Sequence, residues 1–273
     1  MKSAAFDFYR PSTLTDACKF LSDHQGDCRV LAGGQTLIPT LAMRMASPGS
    51  LVDLSLIDGL QAIRYANGEL IVGAMVRQSG LERALKHQAH QPVLSAVLPW
   101  VAHPPIRNRG TVCGSLAHAD PSAELALALL TLEGRVLVQS TRGQRFVSAK
   151  DLFVGTLQTS LEPDEIIVQA HFPMLDSSAA VGFSEFGYRH GDFAVASVLL
   201  VRDPRGVRLG FGGVDDVPLA FDMTDAFHPA AVKERILELA RDLDVRSDPN
   251  TSSEFRRHLL CSLGDQAIAQ AWA

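Results

Sequence analysis

The residues best suited to chemistry lie in a glycine turn near the N-terminus. In LAGGQT, residues 31–36, an apolar run with the pattern of a strand ends at Gly33 and Gly34, and a helical pattern follows directly. Glycine lacks a Cβ, so the backbone turns sharply there and its amides approach a ligand closely. The free N–H groups at the start of a helix favour an anion, and the Thr36 hydroxyl supplies a further donor. The turn predicts a phosphate or diphosphate site; the alternative is a tight strand-to-helix turn without a ligand.

A second turn repeats this arrangement. The segment RNRGTVCGSLAHADPSAE, residues 107–124, contains Gly110, Thr111, Gly114 and Ser115 ahead of a helix predicted from about Ser122. Two anion-type loops in one unit of strands and helices predict a long ligand with a diphosphate at its centre. The pattern is not GxGxxG with an acidic residue about 20 positions later, which disfavours NAD.

Charged residues beside the second loop allow two interpretations each. Asp120 and Glu124 lie where carboxylates can bind ribose or ribityl hydroxyls, but Asp120 followed by Pro121 also fits a helix N-cap with proline at the first helical position. Arg107 and Arg109 either supply positive charge to the ligand or are simply solvated. The sequence leaves both questions open.

Composition argues against several other kinds of site. The net charge is −5 and the pI is near 6.0, so no broad basic face for nucleic acid is expected. No apolar run approaches the ~20 residues of a membrane-spanning helix, and no secretory signal is visible. The four cysteines are scattered without a CxxC, so we expect reduced thiols in a cytoplasm and no iron–sulfur or zinc site. His87 and His90 are spaced i, i+3, but no nearby carboxylate completes a metal site.

Local patterns predict an N-terminal unit of alternating strands and helices. Ser12 or Thr13 is the expected N-cap of a short amphipathic helix. The strand CRVLAGG, the helix TLIPTLAMRM and the strand LVDLS predict a compact βαβ unit. In its helix, Leu37, Leu41 and Met45 are spaced to share one face.

Turn signals predict the rest of the chain. Asn67 and Gly68 are typical of a tight hairpin. The segment MLDSSAAVG is the best candidate for a domain boundary. Beyond it, VGFSEFGYR, FAVASVLLVRD and VRLGFGGV predict three antiparallel strands with DPRG as a hairpin turn, followed by two helices. The expected fold class is α+β.

Several of these segments, in order, carry a resemblance to a known family. They are RPSTLTDACKFL, VLAGGQTLIPTLAMRM, IRNRGTVCGSLAHADPSAELALALL, GFSEFGYRHGDFAVASVLL and GGVDDVPLA. Together they resemble the FAD-binding medium subunit of molybdenum-containing hydroxylases, the xanthine dehydrogenase and carbon monoxide dehydrogenase family. The resemblance covers nearly the whole chain.

The resemblance implies an architecture. Residues 1–175 would form an FAD-binding domain of the vanillyl-alcohol-oxidase (PCMH) type, with subdomains at about 1–57 and 58–175. Residues 176–273 would form a C-terminal domain with a three-stranded antiparallel sheet and helices.

The resemblance also implies a function and partners. The chain would be the FAD-binding electron-transfer subunit of a cytoplasmic heterotrimer, an oxidoreductase that commonly forms a dimer of heterotrimers. It would accept electrons from the [2Fe–2S] clusters of a small subunit and pass them to an external acceptor, while a large subunit holds molybdopterin. Two alternatives are a self-sufficient FAD-dependent oxidoreductase of the same fold and a nucleotide-binding module without redox work.

The matching motifs carry the family's FAD contacts onto particular residues of this chain. No catalytic side chain or metal ligand is implied. The expected FAD-binding residues are Leu31, Ala32, Gly33, Gly34, Gln35, Thr36, Leu37, Thr111, Gly114, Ser115, His118, Asp120, Glu124, Leu161 and Phe193.

This sequence departs from the family pattern at three positions. Many relatives have TIGGN or TIGGD where this chain has TVCGS, so Cys113 replaces a glycine and Ser115 replaces Asn or Asp. We interpret Cys113 as a small packing residue rather than a reactive thiol near the flavin. Many relatives also have a lysine beside the flavin, where Gly187 stands here. Either Arg189 substitutes for it or the flavin potential is lower.

Overall fold

Four β-sheets organise the part of the chain that the computed structural model describes, namely residues 2–24, 26–86, 91–224 and 226–273. The strands in these ranges are β1 (Asp7–Tyr9), β2 (Cys28–Leu31), β3 (Ser50–Asp53), β4 (Ile63–Ala66), β5 (Glu69–Gly73), β6 (Arg135–Ser140), β7 (Gly143–Ser148), β8 (Phe153–Gly155), β9 (Gln158–Thr159), β10 (Ile166–Pro173), β11 (Ala180–Phe186), β12 (Ala196–Asp203), β13 (Gly206–Gly212) and β14 (Leu219–Asp222). The helices are α1 (Leu14–Asp23), α2 (Leu37–Ala42), α3 (Gln78–Leu85), α4 (Pro92–Val97), α5 (Pro104–Arg107), α6 (Val112–His118), α7 (Glu124–Thr131), α8 (Ala149–Leu152), α9 (Pro229–Asp242) and α10 (Ser253–Ala271).

The N-terminal sheet is parallel, with β3 between β1 and β2. Thr13 caps α1, because its Oγ1 accepts the Asp16 N–H at 3.1 Å. The predicted βαβ unit is confirmed as β2, α2 and β3. The helical face predicted for Leu37, Leu41 and Met45 is wrong at its last member. The left-handed conformation of Arg44 follows the end of α2, so Met45 lies outside the helix and is exposed.

The central sheet has five antiparallel strands in the order β4-β5-β10-β6-β7. The hairpin between β4 and β5 turns at Asn67 and Gly68, whose φ angles of 53° and 73° match the predicted tight turn. Strand β10 is buried along most of its length because it lies in the middle of the sheet. The segment that leads into β10 is thereby held in place, and it forms part of the site described below.

The C-terminal sheet has four antiparallel strands in the order β11-β12-β13-β14, where the sequence predicts three. The extra strand, β14, is a four-residue edge strand whose side chains alternate between exposed and half-buried, so it lacks the apolar run of a central strand. The predicted DPRG turn is confirmed, because Asp203 pairs with Gly206 across the hairpin of β12 and β13.

This C-terminal sheet is a layer between two hydrophobic cores. Phe183, Leu199 and Val201 pack into the core that also contains α4 and α7, whereas Val198 and Leu200 pack into a second core with α9 and α10. Helix α10 lies so close to β11 that a Cβ on Gly182 would overlap the Ala267 backbone. The architecture is a mixed α/β fold whose C-terminal part shares a core with its N-terminal part. None of the helices within the described ranges is both long enough and apolar enough to span a membrane.

Candidate functional site

A cleft of about 550 Å³ opens where several segments of the chain meet. Much of its wall comes from the turn between β2 and α2, from residues 110–124, from the segment that leads into β10, and from the loop between β11 and β12. Small-molecule sites typically have volumes of roughly 300–1,000 Å³. The cleft is therefore large enough for an extended ligand, and both glycine turns that the sequence singles out lie on it.

The two glycine turns are in direct contact. A Cβ on Gly33 would lie 2.5 Å from the Arg109 carbonyl oxygen, 2.7 Å from the Gly110 Cα and 2.9 Å from the Thr111 nitrogen. These distances leave no room for a side chain at Gly33. Gly34 has a φ of +70°, a left-handed conformation that favours glycine. The two turns therefore form one continuous backbone surface along the cleft.

Local hydrogen bonds shape the first turn. The Gln35 side-chain nitrogen donates to the Gly33 carbonyl oxygen at 3.1 Å, and the Ile38 N–H donates to the Gly34 carbonyl oxygen at 3.1 Å. Thr36 is the N-cap of α2, but its side chain makes no capping hydrogen bond. The hydroxyl thus remains available to a ligand in the cleft, which Thr36 lines.

The second turn leads into a helix earlier than the sequence predicts. Thr111 is the N-cap of α6, and its Oγ1 accepts the Gly114 N–H at 3.1 Å. Gly114 and Ser115 therefore lie in the first turn of a helix rather than in a loop, and the helix expected near Ser122 is the following one, α7. The early start is explained by the Thr111 cap, which sequence analysis did not recognise.

Cys113 is a packing residue of α6. It is buried, and its helical backbone does not require a left-handed conformation. Burial raises the pKa of its thiol to about 12, so the thiolate needed for reactivity does not form near neutral pH. The structure thus supports the packing interpretation over a reactive thiol.

Asp120 and Glu124 both line the cleft, but their environments differ. Asp120 Oδ1 accepts the Ser122 N–H at 2.8 Å in a local turn, while the N-cap of α7 is Ala123. Of the two interpretations of Asp120, the helix N-cap is therefore wrong, because α7 begins four residues later. Glu124 is only 7% exposed. Burial, reinforced by the charge of Asp120 and opposed by that of Arg107, raises the pKa of Glu124 to about 7.

Fourteen of the fifteen residues predicted from the sequence line this cleft. Leu31 does not; it lies at the end of β2, where it pairs with Asp53. The residues that the structure brings together are Ala32, Gly33, Gly34, Gln35, Thr36, Leu37, Thr111, Gly114, Ser115, His118, Asp120, Glu124, Leu161 and Phe193.

The positive charges predicted beside the second turn do not face the cleft. Arg107 is buried, donating to the Val101 and Ala102 carbonyl oxygens at 2.9 and 3.0 Å and pairing with Glu82 at 3.1 Å. It holds the backbone ahead of α5 and is neither solvated nor a ligand contact. Arg109 is exposed and does not line the cleft. The interpretation of Arg107 as either a ligand contact or a solvated residue is therefore wrong.

Arg29 is the only lysine or arginine among the described residues that line the cleft. The acidic residues there are Asp120, Glu124, Glu165 and Asp192. An anionic ligand would therefore be held mainly by backbone N–H groups of the glycine turns and helix starts. Gly187 and Arg189, proposed above as the position of a flavin-side cation and its substitute, do not line the cleft. The pair His87 and His90 lies outside the described residues.

A loop from the C-terminal sheet forms the mouth of the cleft. Phe193 lies on this loop, lines the cleft and is 66% exposed. The neighbouring Gly191 has a φ of +85°, and a Cβ there would lie 2.6–2.9 Å from ring atoms of His103. The loop is thus fitted against the segment between α4 and α5, which places residues of the C-terminal part beside the N-terminal glycine turns.

Sequence analysis missed several lining residues, including Arg29, Gln78, Glu165, Gly191 and Asp192. None of them belongs to a glycine motif. Gln78 reaches the site because the Val112 N–H donates to the Val76 carbonyl oxygen and the Gln78 N–H donates to the Gly110 carbonyl oxygen. That pairing joins segments far apart in sequence, so no local signal reveals it.

Known proteins resemble this chain over nearly its whole length. A family model described as the FAD binding domain in molybdopterin dehydrogenase matches residues 4–175. The chain is 39% identical to the 6-hydroxypseudooxynicotine dehydrogenase complex subunit alpha of Paenarthrobacter nicotinovorans, over 99% of this chain and 96% of that protein. It is 37% identical to the nicotine 6-hydroxylase medium subunit of the same organism, over 100% of this chain and 99% of that protein.

Solved structures show the same fold. Quinoline 2-oxidoreductase from Pseudomonas putida 86 superposes with a TM-score of 0.92 and 32% sequence identity, covering 99% of this chain and 98% of that chain. The likeness includes both the glycine-turn region and the C-terminal sheet, because nearly all of each chain is covered.

Proposed function

The chain belongs to the family of FAD-binding domains in molybdopterin dehydrogenases, and from this premise we propose that it is the electron-transfer subunit of a heterotrimeric molybdenum hydroxylase. This subunit accepts electrons from the [2Fe–2S] clusters of a small partner subunit and passes them to an external acceptor. The molybdopterin cofactor and the substrate belong to a large partner subunit. Support comes from relatives that are themselves named as a medium subunit and as a subunit of a dehydrogenase complex.

The contact between the two glycine turns is the observation that carries the proposal. Because Gly33 has no Cβ, the backbones of the two turns meet at one place in the cleft, where the first turn leads into α2 and the second leads into α6. A diphosphate concentrates its negative charge in a small volume, so it is bound best by hydrogen-bond donors from more than one side. The two touching glycine turns approach it from two sides. The carboxyl groups of Asp120 and Glu124 add acceptors for the hydroxyl-rich part of the ligand. The residues present therefore fit FAD.

The chain's own residues bind and orient the cofactor. Backbone groups of the two turns hold the diphosphate, the Thr36 hydroxyl donates to it, and carboxyl groups accept hydrogen bonds from ribose or ribityl hydroxyls. Bound FAD would supply the capacity to exchange one or two electrons. The proposed contacts are Leu31, Ala32, Gly33, Gly34, Gln35, Thr36, Leu37, Thr111, Gly114, Ser115, His118, Asp120, Glu124, Leu161 and Phe193. Leu31 contributes from behind the turn, where its Cδ1 lies 3.3 Å from the position of a Cβ on Gly34.

The proposal includes the finer architecture. Residues 1–175 form an FAD domain of the PCMH type with subdomains at about 1–57 and 58–175, and residues 176–273 form the C-terminal domain. The first division is supported by the separate parallel sheet of β1, β2 and β3 and the antiparallel sheet of β4, β5, β6, β7 and β10. The C-terminal sheet supports the second.

The assembly we propose is a dimer of heterotrimers in the cytoplasm. The four cysteines Cys18, Cys28, Cys113 and Cys261 are all free thiols, which suits a reducing compartment. Exposed apolar residues at the mouth of the cleft, Phe193 and Leu157, suit a surface that meets a partner.

Reconstitution tests this function. The purified full chain should be yellow with a flavin spectrum, and its flavin should be reduced by the substrate of the complex only when the small and large subunits are both present. A colourless chain that binds no added FAD would overturn the proposal. Direct reduction by a simple donor with turnover, in the chain alone, would point instead to a self-sufficient FAD-dependent oxidoreductase.

A further inference from the structure

Gln78 lies beside the place where the two glycine turns touch, although it belongs to neither. It is the first residue of α3, lines the cleft and is only 5% exposed. Its backbone N–H donates to the Gly110 carbonyl oxygen at 2.9 Å. Its Oε1 would lie 2.9 Å from a Cβ on Gly110, so its side chain packs against the bare backbone of the second turn.

The side-chain amide oxygen of Gln78 has no hydrogen-bond partner among the described residues. This atom, Oε1, is fully buried. Most buried polar atoms in folded proteins are paired, because an unpaired one loses its hydration without compensation. An amide carries one acceptor and two donors, so rotation about its last bond exchanges the positions of the oxygen and the NH₂ group.

The position of this amide identifies its partner. Gly110 contacts both Gln78 and Gly33, so the amide lies next to the backbone surface assigned above to the diphosphate. We infer that the Gln78 side-chain amide is a hydrogen-bonding contact of bound FAD beside its diphosphate, outside both glycine motifs. This inference rests on the proposed function and adds to it a residue that FAD affinity depends on.

The substitution Gln78→Met tests the inference, because methionine keeps the length of the side chain and removes its polar atoms. The full chain is stripped of FAD, and the dissociation constant for added FAD and the urea midpoint of the FAD-free chain are both measured. We expect the dissociation constant to rise about tenfold, the effect of one lost hydrogen bond in a buried site. The urea midpoint of the FAD-free chain should stay the same or rise, because an unpaired buried acceptor is removed.

Gln91 provides a matched control. It is also buried with an unpaired Oε1, and it precedes α4 much as Gln78 begins α3, but it does not line the cleft. Its Nε2 donates to the Pro173 carbonyl oxygen at 2.8 Å. Gln91→Met should therefore lower the urea midpoint and leave FAD affinity unchanged, the reverse of Gln78→Met.

The outcomes separate this inference from the proposed function. Unchanged FAD affinity in Gln78→Met, or an equal loss in Gln78→Met and Gln91→Met, would overturn the role of Gln78 while the unmodified chain still binds FAD. If the unmodified chain binds no FAD, the proposed function itself fails, and this inference falls with it.

Discussion

Gly33 has three backbone atoms of the second turn where a side chain would begin, all within 2.5–2.9 Å of a Cβ. Gly33→Ala should push the two turns apart. We expect it to weaken FAD binding by at least about tenfold and to lower the free energy of unfolding by about 1–3 kcal/mol, the usual cost of overpacking. FAD titration and urea unfolding measure both effects.

Gly80 gives the comparison for that experiment. It lies inside α3, and a Cβ there meets nothing within 4 Å. Gly80→Ala should raise the free energy of unfolding by about 0.5–1 kcal/mol, because alanine favours helices, and should not alter FAD binding. Equal behaviour of the two alanine variants would show that the turns are not held together at Gly33.

Glu124 makes the stability of the FAD-free chain depend on pH. Its pKa rises from 4.5 to about 7, mainly through burial, so between these values the folded chain keeps a proton that the unfolded chain releases. The free energy of unfolding should lose about 1–3 kcal/mol from this group as pH rises through that window. Glu124→Gln should remove this loss. Urea unfolding of both chains at pH 5 and pH 8 measures the difference, and identical pH dependence would contradict the assignment.

The pKa of the Glu185 carboxyl group also depends on the charge of Glu124. Burial is the main cause that raises the pKa of Glu185 to about 8, and the charge that forms on Glu124 adds to it. In Glu124→Gln the pKa of Glu185 should therefore fall, which carboxyl NMR signals would report.

Among the secondary-structure elements, α10 fixes the strand that follows the Phe193 loop. Arg256 of α10 is buried and donates to the Val195 carbonyl oxygen at 3.2 Å and the Arg246 carbonyl oxygen at 2.9 Å, while pairing with Asp248. Arg256→Leu leaves these groups without their donor and should lower the free energy of unfolding by about 3 kcal/mol.

An exposed ion pair on α9 provides a comparison for the effect of burial on the stability contributed by Arg256. Arg241 and Asp242 of α9 are paired at 2.7 Å, but both side chains are largely exposed. Arg241→Leu should change stability by less than about 0.5 kcal/mol in the same denaturation assay. A comparable loss in both leucine variants would mean that Arg256 does not act through its buried hydrogen bonds.

Caps and turns that depend on residues close together in the chain were predictable from the sequence. The Thr13 cap, the turn at Asn67 and Gly68, and the hairpin at Asp203 and Gly206 depend on residues within four positions of each other. Strand β14 was not predictable, because an edge strand of four residues has no apolar run and forms by pairing with β13. Gln78 was also not predictable as a cleft residue, because its position depends on a backbone hydrogen bond with Gly110, which is distant in sequence.

On the scale of the whole molecule, the shared core predicts cooperative unfolding. Phe183, Leu199 and Val201 of the C-terminal sheet pack into the N-terminal core, so neither part can unfold without exposing apolar surface of the other. The proposed division near residue 175 is then a structural boundary without independent stability.

The two tryptophans of the chain test this prediction, because Trp100 lies where the two parts meet and Trp272 lies in the C-terminal part. Trp100 contacts Phe183 with ring centroids 6.1 Å apart, and Trp272 packs against Arg202. Single-tryptophan variants made by Trp100→Phe and Trp272→Phe should give the same urea midpoint by fluorescence, matching that from circular dichroism. Two separate midpoints would show that the parts unfold independently.

Few basic side chains line the described part of the cleft, and this affects how ligand binding responds to pH and to mutation. A main-chain amide neither gains nor loses a proton in the physiological range, and it is not acetylated as a lysine side chain is. It is also retained in most substitutions, because every residue except proline has a main-chain N–H. The part of the binding site that consists of such groups should be largely indifferent to acidification and to charge-altering mutation, unlike the contacts made by Asp120 and Glu124. Selection is then free to change the electrostatics of the surrounding walls, and with them the redox partner, while the hold on the nucleotide persists.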